Sequence, residues 1–127
     1  MKKIKKLSAL IIAGILVFAS SLGIAFADTK KGQLNGHDVI GHSSVTQTSG
    51  IAYTDMLWSG SVSVNATYAY VNINTLETAT QTKSAGGQSN CSVSFSAPSS
   101  CRSVYISASH WASLSGQTWS ASTYDAY

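Results

Sequence analysis

Charge is the scarcest property of this 127-residue chain: Lys, Arg, Asp and Glu together make up 10% of it. Half of the eight cations, Lys2, Lys3, Lys5 and Lys6, sit in the first six residues. From Asp28 onward, Lys30, Lys31, Lys83 and Arg102 stand against Asp28, Asp38, Asp55, Glu77 and Asp125, a net of −1. A nucleic-acid binder must neutralise phosphates with a basic surface, and four dispersed cations cannot form one. The acids are equally sparse. A glycosidase needs two carboxylates flanking one bond, and nothing in the local context of these five pairs them. There is no Gly-x-Ser-x-Gly turn to support a serine nucleophile. There is no Cys-x-x-Cys, and Ala85-Gly86-Gly87 lacks the lysine and the helix of a phosphate loop. The chain holds one proline, Pro98, and no convincing helical periodicity after its first 27 residues. These absences predict a protein that is not an enzyme and carries no cofactor.

What is present begins with an address. Met1–Lys6 reads MKKIKK, Leu7–Phe26 is almost wholly apolar, and Ala25-Phe26-Ala27 places small residues before Asp28. A basic start, an apolar middle and an A-x-A end describe a secretory signal peptide over 1–27. The apolar run is long enough for a retained anchor, but the polar DTKKGQ that follows favours cleavage. The predicted product is secreted, extracellular and without a stable membrane anchor. The lysine-rich signal has a bacterial, Gram-positive style.

Serine and threonine supply 31 of the 100 residues from Asp28 to Tyr127. Such a composition suits either a disordered tract or a hydroxyl-coated sheet, and pattern decides. In GSVSVNATYAYVN, Gly60–Asn72, the residues Val62, Val64, Ala66, Tyr68 and Tyr70 share one face. The alternation slips at Tyr70-Val71, which marks a bulge or a strand end. Cys91, Val93, Phe95 and Ala97 make a second apolar row. Val104, Ile106 and Ala108 make a third, with Ser103, Tyr105, Ser107 and Ser109 opposite. Gln117–Asp125 is a weaker fourth. Short strands are also predicted at 42–48 and 51–57, and the threonine-rich Glu77–Ser84 reads as an exposed edge guarded by Lys83. About seven strands at intervals of about 8–12 residues argue an all-β fold, a small antiparallel β-sandwich of immunoglobulin-like type, with a small barrel second. The predicted organisation is a signal peptide at 1–27, a flexible arm at 28–36 and a single sandwich domain at 37–127.

The only two cysteines bound the segment CSVSFSAPSSC, Cys91–Cys101. If Pro98-Ser99 centres a hairpin, Cys91 faces Ile106 and Cys101 faces Ser96. The two then lie about 17 Å apart along the strands, whereas a disulfide needs Cα atoms within roughly 7 Å. Export argues the opposite, because paired cysteines are the rule outside the cell. The Cys91–Cys101 bond is left open by these opposed considerations.

His37, Asp38 and His42 come nearest to a metal cluster, but their spacing matches no zinc pattern and flanking glycines mark a polar turn; no metal site is predicted. Asn65-Ala66-Thr67 and Asn90-Cys91-Ser92 match the glycosylation sequon, which matters only in a eukaryote. The aromatics carry more. Tyr68 and Tyr70 share the apolar face and should be buried. Tyr105 lies opposite Val104 and Ile106 and should be exposed, with Trp111 beyond it on the same stretch. Exposed aromatics among hydroxyls can stack on sugar rings or meet a partner surface. The function that follows is a non-catalytic extracellular binding or interaction module at a cell surface or wall. Its partner is a surface, wall or protein component. A bacteriocin-like antimicrobial or toxin-like protein is the alternative, and a small secreted hydrolase comes third.

Overall fold

The structure is a computed structural model that describes residues 27–127. The signal-peptide segment lies almost wholly outside the described residues. The remainder forms eight antiparallel strands: β1 Asp28–Leu34, β2 His37–Val45, β3 Ser49–Met56, β4 Ser61–Asn72, β5 Thr78–Gln88, β6 Asn90–Ser96, β7 Cys101–Leu114 and β8 Gln117–Ala126. They make two four-stranded sheets, ordered β1-β2-β3-β6 and β5-β4-β7-β8. The predicted all-β sandwich is the observed architecture. The strands number eight where about seven were predicted: the chain lays down three strands in one sheet, crosses for two, returns for β6 and crosses again.

Most of the 28–36 segment, expected as a flexible arm, is a strand. Residues 28–34 form strand β1, paired along its whole length with β2 from Asp28↔Ser43 to Leu34↔His37. The hairpin turns on Asn35 and Gly36, both at positive φ (49° and 78°). Two left-handed residues in a two-residue loop are the signature of a type I′ turn, whose twist matches that of the flanking strands. Ser115 and Gly116 repeat the device between β7 and β8, with φ of 50° and 81°. The two turns meet: Asn35 N–H donates to Gln117 Oε1 and Asn35 Nδ2 to the Leu114 carbonyl.

Alternation builds the core. Val62, Val64, Ala66 and Tyr68 of β4 pack with Cys91, Val93 and Phe95 of β6, Ile106, Ala108 and Ala112 of β7, and Val39, Ala52 and Met56 from the first sheet. Tyr68 is fully buried and stacks on Phe95, ring centroids 5.2 Å apart, while Tyr70 is half-buried against the same cluster. A register shift lies between Ala69 and Tyr70, one residue before the predicted slip. It changes the fate of Ser103, expected on the outside. Ser103 is fully buried, hydrogen-bonded to the Tyr68 hydroxyl at 2.6 Å. Val104, the residue skipped in the β4–β7 register, joins Ala69 in a separate small cluster under Val71 and Tyr105.

Polar ties cross between the sheets. His110 of β7 is 1% exposed. Its Nδ1 lies 2.8 Å from Thr54 Oγ1 on β3, and its Nε2 lies 2.7 Å from Thr123 Oγ1 on β8. Thr54 Oγ1 already donates to the Ser63 carbonyl, so it accepts from a protonated Nδ1. Nε2 then accepts the Thr123 hydroxyl, and the ring is a neutral Nδ1–H tautomer with both nitrogens satisfied. Gly41 makes room for it: a Cβ there would lie 2.5 Å from His110 Cγ. Asp125 of β8 accepts from Val45 N–H of β2 at 2.8 Å.

The edges are managed individually. β5 is the predicted exposed edge, and its Lys83 reaches across to the other sheet, donating to the Ser94 carbonyl at 2.7 Å and lying 5.3 Å from the centre of the Phe95 ring. An inter-sheet lysine of this kind blocks further strand addition at β6. At the opposite corner, Asp28 Oδ2 accepts from Tyr124 N–H and ties β1 to β8.

β6 and β7 do not form a hairpin. The chain crosses from one sheet to the other through residues 97–100, and both cysteines are free and buried. The candidate disulfide of Cys91 and Cys101 is therefore absent. Cys91 sits opposite Thr54 in the first sheet and Cys101 opposite Asn72 in the second. Burial pushes the Cys91 thiol up, which leaves little thiolate to react. Thiol titration without reductant is expected to find two thiols per chain in denaturant and slow reaction of Cys91 in the native state. Fewer than two would contradict this arrangement.

Candidate functional site: the outer face of the β5-β4-β7-β8 sheet

The site is built from the residues that alternation leaves outside. The register lines them up in rows across the four strands. Thr82, Thr67, Ser107 and Tyr124 form one row, followed by Ser84, Asn65, Ser109 and Ser122, then Gly86, Ser63, Trp111 and Ser120. Rows are two residues apart along each strand, about 7 Å, and columns lie about 4.8 Å apart. No residue in these rows carries a charge. Most bear a hydroxyl, and the Thr67 and Thr82 hydroxyls are themselves in contact at 3.2 Å.

Three aromatics interrupt the hydroxyls. Tyr105, paired with Ala69 and Ala126, stacks on Tyr124 with ring centroids 5.4 Å apart. Trp111 is 40% exposed and Tyr124 41%. Burial, then the neighbouring Tyr105 and Asp125, push the Tyr124 phenol up to about 12, so it keeps its proton and can donate a hydrogen bond at any physiological pH. Beside Tyr124, the one aromatic in its lining, lies a cleft of about 540 Å³ lined also by Asn65, Thr67, Ser107, Ser109 and Ser122. Asp28 and Lys30 of β1 complete it, and their charges face each other at 3.7 Å.

The sequence-predicted pair, Tyr105 and Trp111, therefore lies on one outer face of β7, six residues apart. Tyr105 is half-buried rather than open, because Tyr124 covers one side of its ring. Tyr124 and the β4 and β8 hydroxyls were not singled out from sequence. Their signal is the same alternation, but only the strand register brings them together. The other residues weighed go elsewhere. His37 stacks on Trp58 at 4.3 Å, Asp38 accepts from Gln33 Nε2, and His42 contacts Thr29 Oγ1 and stacks on Tyr53. Among the described residues, no group of three His, Cys, Asp or Glu side chains is placed to hold a metal ion.

No family model matches the chain, and no curated protein matches it. Among solved structures it is similar to the solution structure of CsgH from R. palustris, with a TM-score of 0.33 and 10% identity over 78% of this chain and 90% of that one.

Proposed function

We propose that the protein is a non-catalytic binding module that works outside the cell, at a cell surface or wall, and takes its ligand on the outer face of the β5-β4-β7-β8 sheet. The observation that carries this reading is the face itself. It combines rows of hydroxyls without charge, three exposed or half-exposed aromatics and a cleft lined by one of them, Tyr124. Binding surfaces concentrate their energy in such aromatic anchors, with the surrounding polar groups fixing orientation. The export-type N-terminus supports the location. The sparse, scattered acids support the absence of catalysis.

The test is a sedimentation assay of the purified protein with intact cells and with isolated walls. The native protein is expected to co-sediment, and Tyr105→Ala combined with Trp111→Ala to lose most of that binding while keeping its β-type circular-dichroism spectrum. Unchanged binding by the double variant overturns the reading. Growth inhibition of neighbouring strains by the native protein would favour the antimicrobial alternative.

A further inference from the structure

We infer that the cleft on the outer sheet face holds a neutral polysaccharide chain, lying along β7 from the Tyr105–Tyr124 pair to Trp111. This rests on the surface-binding function proposed above and names the chemistry of its ligand. Four features of the site lead there.

The first is charge. Asp28 and Lys30 are the only charged residues in the lining, and they neutralise one another. Their side-chain charges cancel, and cleavage before Asp28 would add one α-ammonium there, so the cleft carries at most a single positive charge with which to attract an anionic polymer. A phosphorylated or uronic-acid ligand would find no side-chain cation free of an acid partner in the lining.

The second is the hydrogen-bonding character of the floor. Thr67, Ser107, Ser109 and Ser122 each present a group that donates and accepts, and the Asn65 amide does both with separate atoms. Sugar hydroxyls have the same dual character. A floor of hydroxyls can satisfy them in several rotational states, with no protonation change on either side.

The third is the aromatic placement. A pyranose ring has an apolar C–H face, which packs on an aromatic ring, and an equatorial rim of hydroxyls. Here Tyr124 lines the polar floor, and Trp111 stands in the row beyond Asn65–Ser109–Ser122, outside the cleft lining but on the same sheet face. Such a site presents ring faces for stacking and hydroxyls for the rim, the mixture expected of an orienting pocket.

The fourth is spacing. The row of Tyr124 and the row of Trp111 are separated by one intervening row, Asn65–Ser109–Ser122. Four residues along an antiparallel strand span about 13 Å. That is the reach of a short run of linked rings, not of a single one, and β7 continues past the cleft in both directions.

The experiment uses the purified protein with walls or cells that it binds. Walls treated with periodate, which cleaves vicinal diols, are expected to lose binding, and protease-treated walls to keep it. The neutral polysaccharide fraction released from the same walls is expected to compete, equally well at low and high salt, and to shift Trp111 fluorescence. Trp111→Ala and Tyr124→Ala should each weaken competition by about tenfold or more. Tyr53→Ala, on the other sheet, should leave it unchanged. If the walls bind but binding survives periodate, or follows an anionic polymer and falls with salt, the polysaccharide is wrong and the surface-binding function stands. If neither walls nor cells bind, both fall together.

Discussion

Acidifying the protein from about pH 7 to about pH 4 is expected to cost the fold about 3 kcal/mol through His110 alone. Burial, assisted by the charge on His42, lowers this imidazole from 6.5 to about 4. The direction follows from proton counting. Between pH 6.5 and 4 the unfolded chain binds a proton at this position and the folded chain does not. Stability is therefore complete above the unfolded value and is lost as pH falls through that window, flattening below about 4. The structural reason is burial: a charged imidazolium would lie between the sheets, out of water, and its second proton would disturb a satisfied pair of hydrogen bonds. Nδ1–H already donates to Thr54, and protonating Nε2 turns it towards a Thr123 hydroxyl that must then reverse its own proton. Urea unfolding curves at several pH values provide the measurement. His110→Gln, which cannot titrate, should be less stable at pH 7 and should lose most of the slope between pH 6.5 and 4. An unchanged slope would show that some other group governs the acid response.

Replacing Tyr68 should have the largest effect of any single substitution in the core. Tyr68→Ala is expected to cost about 3–5 kcal/mol, the range for deleting a buried aromatic. A domain of this size has about 5–15 kcal/mol in total. Two losses combine: the stack on Phe95 and the volume between the sheets, where the neighbouring Ala66, Ala52 and Ala108 are too small to refill the space. Tyr68→Phe separates the hydrogen bond from the packing. It keeps the ring and leaves Ser103 Oγ with only its 3.5 Å contact to the Ser49 carbonyl, at a cost of about 1 kcal/mol. Thermal unfolding of the two variants should therefore separate clearly. Similar losses for both would mean that the hydroxyl, and not the ring, holds this part of the core.

Where residues alternate between apolar and hydroxylated, the strands were readable before any coordinates: Val62 to Tyr68, Cys91 to Phe95, and Ile106 with Ala108 all bury the side that alternation assigns, while Val104 of the same predicted row packs in a separate cluster. β1 was not readable, because DTKKGQL has a single apolar side chain, Leu34, to mark an inner face. What secures it is pairing to β2 and the Asn35-Gly36 turn, a hairpin signal in plain view. Ser103 was misplaced for a related reason. Alternation counts every residue equally, and the shift between Ala69 and Tyr70 moves one residue out of the count. The cysteines could not be settled from sequence because strand spacing argued against a bond while the export signal argued for one. The candidate site was half legible. Tyr105 and Trp111 lie on one strand and share its parity. Tyr124, Asn65 and Ser122 belong to other strands, and which rows they join depends on long-range pairing that no local pattern encodes.

The bond from Asp28 to Tyr124 joins residues 96 positions apart, and it has a consequence for the order in which the molecule is completed. β1 can turn back on β2 as soon as both exist, since their hairpin is local. Its second flank is covered by β8, a strand synthesised after the other seven. Until then the aromatic ring of Trp119 has not arrived over Gly32, and one corner of the sandwich stands ajar. Closure of that seam is a late event that couples the fate of the first strand to the delivery of the eighth, and such widely separated contacts are the ones that slow folding.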